Sequence, residues 1–344
     1  MKTFLLCILL AAGAQAPEDT LSAVFWNLEN FFDWRNDSTS VSDADFSSRG
    51  AKRWTRKRFE SKCEAIAKTL LWTAGETGRL PDIVGVAEVE NAFALKRLLQ
   101  GTLLRKLDYR IVHFDSPDRR GIDVALLYRR GMLELLDAKP CHLYTDSLTI
   151  MLTRDILLCR FRLRSGADFA VLVNHHPSKF GGTAASNERR RSAVGRLRFL
   201  ADSLAALGVD RILAIGDFND TPANPVYKAL EPGLVPLYET VFRQGEGTIR
   251  YDGRWELIDL AFASPSPCHG QASPAPYPSC PSSIPAQPPS WTSPMQILRP
   301  PFLQVHDSVH GGWKPLRTYS GPRYLGGVSD HCPVMVRLYM GEKQ

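Results

Sequence analysis

The sequence predicts an α/β fold whose sheets are covered by helices. Six short β-rich runs recur along the 344 residues. Their apolar stretches of about four to six residues are typical of strands that are buried on both faces. Helical patterns lie between several of the runs, as expected of an α/β protein rather than an exposed β-sandwich. With 44% hydrophobic and 23% charged residues, the composition also excludes a disordered or fibrous chain.

The predicted elements follow a regular order along the chain. The β-rich runs are residues 23–27, 83–88, 124–128, 170–175, 212–217 and 257–262. The helical patterns cover about 59–72, 92–99 and 187–207. Four of the six runs finish with a polar residue, namely Asn27, Glu88, His175 and Asp217. Side chains at strand ends can meet at one edge of a sheet, so these four predict a functional site there.

The first sixteen residues have the pattern of a secretory signal peptide. Lys2 precedes an apolar run over 4–12, and the small residues Ala14 and Ala16 precede a cleavage point. The apolar run is too short to span a bilayer, which needs about 20 helical residues, and no later stretch is long enough. We therefore predict an exported protein, periplasmic or extracellular, that starts near Pro17 and has no transmembrane segment.

Prolines are concentrated in one segment, residues 264–301. Because proline supplies no ladder donor and blocks helices, this stretch predicts a long irregular loop. We expect an inserted loop that overhangs the site, with a local sequence-frame error as the alternative. Six cysteines follow the signal peptide, and their spacing leaves disulfide pairing open. The net charge of +6 is compatible with an anionic substrate and carries little weight.

Two motifs near the C-terminal half carry acid–base chemistry. In the string 215–222, an apolar strand leads into Asp217 and Asn219. These two residues lie two apart, so they would point to the same side if the strand continued. A carboxylate that polarises water, beside an amide that holds it, suits attack on a phosphorus or carbonyl centre. Asp330 and His331 stand side by side just before the last apolar run.

Three further strand ends offer ligands for a cation or an anion. Asn27 ends the first run, Glu29 follows it, and Glu88 ends the second run. Oxygen ligands of this kind suit a hard divalent cation such as Mg²⁺, whereas the absence of clustered His and Cys counts against zinc. The fourth run ends in His175, and the string continues to Lys179.

Taken in chain order, these strings resemble the endonuclease/exonuclease/phosphatase superfamily, which includes DNase I-like nucleases, sphingomyelinases and inositol polyphosphate 5-phosphatases. The resemblance runs from about Ala23 to Leu338. It implies a four-layer α/β/β/α sandwich, with two packed, mainly antiparallel or mixed sheets flanked by helices. Residues 118–128 and 317–324 are similar to an exported bacterial branch of this family.

The resemblance also implies a divalent-metal site. Glu88 would be the main ligand, with Asn27, Glu29 and Asp330 near the same ion or its waters. The expected ion is Mg²⁺ or Mn²⁺, and Ca²⁺ is a further candidate.

The catalytic roles implied by the resemblance fall on five residues. Asp217 would orient or deprotonate the attacking water, and Asn219 would hold water or phosphate. His331 would stabilise the charge that develops on phosphorus, and Asp259 would orient its ring. His175 would bind a phosphate oxygen or assist the leaving group. The candidate substrate-binding residues are Asn174, Arg120 and Lys179.

The predicted function is metal-assisted in-line hydrolysis of a phosphoester, with nuclease-like activity on DNA or RNA as the first expectation. Sphingomyelinase-like activity, a small-molecule phosphatase and an inactive secreted binding module are the alternatives. The calcineurin-like metallophosphatases are excluded because their other metal-binding strings are absent. Since Asn27 and His331 must meet in one site, residues 17–344 are expected to form a single domain, and a monomer.

Overall fold

The computed structural model describes residues 20–37, 40–178, 183–266 and 287–341. The predicted signal peptide, Lys179 and most of the proline-rich segment lie outside the described residues. Within the described part, no helix is long and apolar enough to cross a membrane.

Helices and strands occupy the following ranges. The helices are α1 Val41–Asp45, α2 Arg56–Thr77, α3 Ala92–Gly101, α4 Thr183–Ala206 and α5 Glu239–Arg243. The strands are β1 Thr20–Phe31, β2 Ile83–Val89, β3 Tyr109–His113, β4 Asp123–Arg129, β5 Leu133–Cys141, β6 Ile156–Leu163, β7 Asp168–His175, β8 Ile212–Asp217, β9 Val235–Pro236, β10 Ile249–Tyr251, β11 Arg254–Glu256, β12 Asp259–Ala263, β13 Gln296–Ile297, β14 Gln304–His306, β15 Trp313–Pro315, β16 Tyr319–Ser320, β17 Arg323–Tyr324 and β18 Val334–Tyr339. Short 3₁₀ helices cover Leu103–Lys106, Pro225–Leu230 and Pro301–Leu303.

Two six-stranded mixed sheets form the centre of the molecule. Their strand orders are β13-β18-β1-β2-β4-β3 and β5-β6-β7-β8-β12-β9. The pairs β1–β2 and β7–β8 are parallel, and the other pairs within these sheets are antiparallel. The sheets pack face to face: Gly85 of β2 lies directly against Val173 of β7, so a side chain at position 85 would press on that valine. The predicted α/β/β/α sandwich is confirmed.

Helices cover the outer faces of both sheets. Apolar side chains of α2 and α3, such as Phe59 and Leu95, share a buried cluster with Val84 and Leu127 of the first sheet. Leu197 and its neighbours on α4 pack into the core of the second sheet. The ends of α2 have clear causes, because Thr55 caps the first turn through Arg58 N and Gly78 at the other end adopts φ 74°.

The two ends of the described chain meet in the first sheet. Strand β1 lies between β18 and β2. At the polar end of these strands the Trp26 indole donates a hydrogen bond of 2.9 Å to the His331 carbonyl. The Ser329 hydroxyl likewise donates to the Asn27 carbonyl at 2.6 Å. The first and last motifs of the sequence are therefore held together by direct bonds.

Strands β1 and β2 become irregular where the predicted metal ligands lie. The pairing register shifts between Asn27 and Phe31 and again between Ala87 and Val89. Within these irregular stretches Glu29 and Glu88 adopt left-handed backbone conformations, with φ values of 47° and 60°. Such conformations cost roughly 1–3 kcal/mol in residues other than glycine and cluster at functional sites. A bulge of this kind re-aims the side chain, here toward the end of the sheet.

The described residues on either side of 267–286 are anchored away from the predicted site. Strand β12 begins at Asp259 beside Asp217 and ends at Ala263, so the segment leaves the sheet roughly 13 Å from the predicted site. The chain returns with Thr292 bridged to Leu338 at the far end of β18. The buried Trp291 donates its indole N–H to the Ser264 carbonyl at 3.0 Å. Residues 267–286, which would form the overhanging loop, lie outside the described residues, so that loop stays a prediction.

Candidate active site

Asp217 lies at the centre of the polar strand ends. It is the last residue of β8, and the β7–β8 and β8–β12 pairings place it beside His175 and Asp259. Its Oδ2 accepts a hydrogen bond of 3.0 Å from Asn27 Nδ2. The same oxygen lies 3.6 Å from His175 Nε2 and 3.8 Å from His331 Nε2. Three of the predicted residues, Asn27, His175 and His331, therefore converge on one carboxylate oxygen of a fourth, Asp217.

His331 and Asp259 form a hydrogen-bonded pair next to this carboxylate. His331 Nδ1 lies 2.8 Å from Asp259 Oδ2, which leaves Nε2 directed toward Asp217. Asp259 starts β12 rather than continuing the predicted run from residue 257. Because β12 runs antiparallel to β8, the first residue of one strand faces the last residue of the other. The contact that the resemblance implied between Asp259 and the His331 ring is present.

The two histidines near Asp217 have opposite proton affinities. Burial disfavours the charged form of His331, but Asp259, Asp217 and Asp330 raise its pKa well above its ordinary value. Burial lowers the pKa of His175 well below its ordinary value, and Arg154 and Arg120 add to that effect. At neutral pH His331 is therefore an imidazolium, whereas His175 is a neutral imidazole that can still donate one hydrogen bond.

Two residues near this centre, Asn219 and Asn174, differ from the predictions in geometry. Strand β8 ends at Asp217, and Asn219 has φ 52°, so the two do not share a strand face. Instead Asn219 donates its backbone N–H to Asp217 Oδ1 at 2.8 Å and its amide to the His176 carbonyl. Asn174 is fully buried and donates to the Leu172 carbonyl. Because adjacent strand residues point to opposite faces, Asn174 points away from the side that His175 occupies, contrary to its predicted role in substrate binding.

The Glu29 carboxylate is held by Arg317 and by the backbone of the next residue. Its Oε1 accepts a hydrogen bond of 2.9 Å from Arg317, and its Oε2 accepts one of 2.9 Å from the Thr318 backbone. Arg317 also pairs with Asp330 at 2.9 Å. Burial raises the pKa of Glu29 to about 7, with Asp330 adding to the rise and Arg317 and Lys62 opposing it. Arg317 thus bridges two of the predicted metal ligands.

Glu88 lies near the end of β2, and only one of its carboxylate oxygens makes hydrogen bonds to described residues. Its Oε2 accepts a hydrogen bond of 2.8 Å from the Asn30 backbone and lies 3.4 Å from Arg120. Arg120 also donates to the Asn30 side chain at 2.7 Å. The other carboxylate oxygen of Glu88, Oε1, makes no hydrogen bond to the residues that the structure describes. Arg120 therefore lies beside Glu88 with its guanidinium half exposed.

The buried Lys62 contacts the backbone of Glu29 and the side chain of Thr318. Lys62 of α2 is only 2% exposed and donates to the Glu29 carbonyl at 2.7 Å and to Thr318 Oγ1 at 2.8 Å. Burial lowers its pKa to about 8, whereas the charges of Glu29, Glu88 and Asp330 raise it. The charges of all three carboxylates thus act on this one ammonium group.

The residues present fit a hard divalent cation. Glu88 keeps one carboxylate oxygen free of hydrogen bonds within the described chain, and Asp330 Oδ1 makes none to the described residues and lies 4.0 Å from His331 Nε2. Carboxylate oxygens of this kind, with waters and a substrate phosphate completing the shell, are what Mg²⁺ takes. Glu29 and Asn27 are already occupied by hydrogen bonds, so they orient neighbours rather than offer free oxygens.

Three residues of the site, Lys62, Arg317 and Arg154, were not predicted from the sequence. Arg154 joins the site by pairing with Asp118 at 3.1 Å and donating to the His176 carbonyl at 2.6 Å. A signal existed for Lys62, since it stands on the apolar face of α2 between Phe59 and Ile66. Arg317 offered none, because its partner Glu29 is 288 residues away along the chain.

A model of the Endonuclease/Exonuclease/phosphatase family matches residues 22–340. The chain belongs to this family. The family name covers nucleases and phosphatases, which hydrolyse phosphoester bonds, and this family member is a phosphoester hydrolase. A comparison with curated protein sequences found no match.

Solved structures of the family share the fold at low sequence identity. An endonuclease/exonuclease/phosphatase family protein from Bacteroides thetaiotaomicron is 16% identical, with a TM-score of 0.57 and coverage of 94% of this chain and 96% of that one. A mannosyl-6-phosphatase from the same species is 16% identical, with a TM-score of 0.55 and coverage of 92% and 98%. TDP2 from D. rerio, complexed with a single-strand DNA product, is 14% identical, with a TM-score of 0.51 and coverage of 92% and 98%. These neighbours support the fold of this family member.

We expect the activity of this enzyme to increase with pH through about 7. Burial raises the pKa of Asp217 to about 7, against the opposing effects of His331 and of the hydrogen bonds from Asn27 and Asn219. Only the ionised carboxylate can accept a proton from water, so activity falls below this pKa. Asn27→Ala removes a donor that stabilises the ionised form, so the acidic limb should move up by about 1 pH unit.

Profiles of kcat/KM against pH would test this expectation. Asn187→Ala, at an exposed position of α4, is the matched control and should leave the limb in place. An Asn27→Ala profile that coincides with wild type would show that another group sets the acidic limb.

Proposed function

We propose that this enzyme is an exported Mg²⁺- or Mn²⁺-dependent phosphodiesterase that acts on single-stranded nucleic acid. The observation that carries the chemistry is the convergence of Asn27, His175 and His331 on Asp217 Oδ2. Glu88 of β2 and Asp330, which precedes β18, supply carboxylates that can hold a cation. The sequence of residues 1–16 supports export.

Each side chain at this centre has a distinct chemical task. Asp217 orients the attacking water and takes its proton, while Asn27 fixes the carboxylate. The His331 imidazolium, held by Asp259, compensates negative charge on the phosphoryl oxygens as it develops. Neutral His175 donates a hydrogen bond to a phosphate oxygen. When bound, a divalent cation at Glu88 and Asp330 would polarise the phosphoryl group.

The charge balance of the site favours a diester over a monoester. Arg317 is paired with Glu29 and Asp330, Arg120 with Glu88, and Arg154 with Asp118. Among the described residues, His331 thus brings the positive charge nearest to Asp217. A diester carries one negative charge, whereas a monoester near neutral pH carries up to two and requires more compensation.

Aromatic and arginine side chains at the same edge support a nucleic-acid substrate. Phe114, 38% exposed, follows β3 and precedes the loop that carries Arg120. Trp34 follows β1, and Arg35 lies 3.9 Å from the ring centre of Phe93. Bases of single strands stack on such rings, and guanidinium groups contact their phosphates. TDP2 from D. rerio, whose fold is similar, was solved with a single-strand DNA product.

A substrate panel tests this proposal. The chain from Pro17 onward would be assayed with Mg²⁺, Mn²⁺ or chelator against single-stranded DNA, RNA, sphingomyelin, bis-p-nitrophenyl phosphate and p-nitrophenyl phosphate. We expect hydrolysis of the nucleic acids and of the diester to exceed that of the monoester at least tenfold, and to stop in chelator. Preference for the monoester or for sphingomyelin would overturn the substrate class. Unchanged activity in chelator would overturn the metal requirement.

A further inference from the structure

A second group of carboxylates lies beside the active site and is separate from it. Asp37, Asp43 and Glu90 each offer one carboxylate oxygen, and these oxygens lie within 4.8 Å of one another. Asp43 belongs to the first turn of α1, whereas Glu90 comes just after β2. The group therefore joins the segment that follows β1 to the end of the neighbouring strand. None of its members takes part in the chemistry around Asp217.

Glu90 presents a buried oxygen that lacks a partner. The residue is only 6% exposed, and its Oε2 accepts a hydrogen bond of 2.7 Å from the Asp33 backbone. Its Oε1 has no hydrogen-bond partner among the residues that the structure describes. Buried polar atoms are nearly always satisfied, since an unpaired one costs free energy. A cation bound among these carboxylates would satisfy Oε1.

The closeness of the three carboxylates also favours a bound cation. Their oxygens share one small volume, within 4.8 Å of one another. Asp43 is fully buried as well. Like charges this close repel one another unless a cation lies between them.

We propose that Asp37, Asp43 and Glu90 bind a calcium ion. Ca²⁺ takes six to eight oxygen ligands in flexible geometry and accepts several carboxylates, whereas Mg²⁺ usually binds one or two and keeps its waters. The ligands come from a loop, a short helix and a strand end, so the ion ties Asp37 and α1 to the end of β2. Phe32 and Phe46, on either side of Asp37 and Asp43 in the chain, belong to the buried cluster of the first sheet, where their rings stack at 4.8 Å. The ion's role is therefore structural.

Thermal unfolding of the full chain tests this proposal. Chelator-treated protein in saturating Mg²⁺ would be titrated with CaCl₂. At about 100 times the dissociation constant we expect the Tm to rise by ~4 °C, because the ion binds only the folded state. Glu88→Gln, which alters the active-site carboxylate, should keep this rise. Glu90→Gln, which is nearly isosteric, should lose it.

Two further measurements separate this site from the active site and from misfolding. Asp37→Asn, at an exposed position, should raise the Ca²⁺ concentration needed for the response at least tenfold. Equilibrium dialysis with radioactive Ca²⁺ should find one ion in Glu88→Gln and none in Glu88→Gln/Glu90→Gln, with circular dichroism confirming that both are folded. A wild-type Tm that does not respond to Ca²⁺, or a response that survives Glu90→Gln, would overturn the proposal. Neither outcome bears on the phosphodiesterase assignment.

Discussion

Replacing His331 by alanine should lower kcat by about 10³-fold, with little change in KM. The imidazolium lies 3.8 Å from the Asp217 carboxylate and is held by a 2.8 Å hydrogen bond to Asp259. Without it, negative charge that develops on the phosphoryl oxygens loses its nearest positive partner among the described side chains. Steady-state kinetics on bis-p-nitrophenyl phosphate would measure the loss.

Asp259→Asn distinguishes a coupled pair from two independent residues. If Asp259 acts by holding the His331 ring, its replacement should also reduce kcat, and the double variant should be hardly slower than His331→Ala alone. His306→Ala, at an exposed histidine outside the site, is the matched control and should remain fully active. Additive losses in the double variant would show that Asp259 does not act through His331.

Replacing Glu88 by glutamine should raise the Mg²⁺ concentration required for half-maximal activity at least tenfold and lower kcat by about 10²-fold or more. Glutamine keeps the size of the side chain and an oxygen for the Asn30 backbone, but it removes the negative charge. The carboxylate is 13% exposed, and one of its oxygens makes no hydrogen bond within the described chain. We expect the negative charge on this oxygen to bind the divalent cation.

Titration of activity with Mg²⁺ and with Mn²⁺ measures this effect directly. Glu134→Gln, on the exposed side of β5, is the matched control and should leave the metal dependence unchanged. An unaltered half-saturating concentration in Glu88→Gln would show that the activating ion is bound elsewhere.

The polar strand ends could be predicted because the sequence pattern is local. A buried strand is an unbroken apolar run, and the first polar residue after it lies at the sheet edge. Glu88, His175 and Asp217 were located in this way. Asn27 and His331 required the whole motif order, since only a shared sheet brings them together.

What followed Asp217 could not be predicted from spacing. The pattern assumed that the strand continued to Asn219, but the backbone turns into a left-handed conformation there. The backbones of β7 and β8 lie close together at Gly216, where a side chain would collide with the Asn174 carbonyl. Close approach of β7 and β8 thus requires this glycine, and the turn after it reorients Asn219 toward His176.

The sequence by itself determined the α/β class, the positions of the motifs along the chain and most polar residues that surround Asp217, because apolar periodicity and strand ends are properties of short segments. Only the tertiary structure decided how charge is balanced among them. Lys62 and Arg317 reach Glu29 from α2 and from a distant segment, and these contacts join residues up to 288 positions apart. Burial and neighbouring charges, which set the pKa values of Asp217 and His331, exist only once the two sheets have packed.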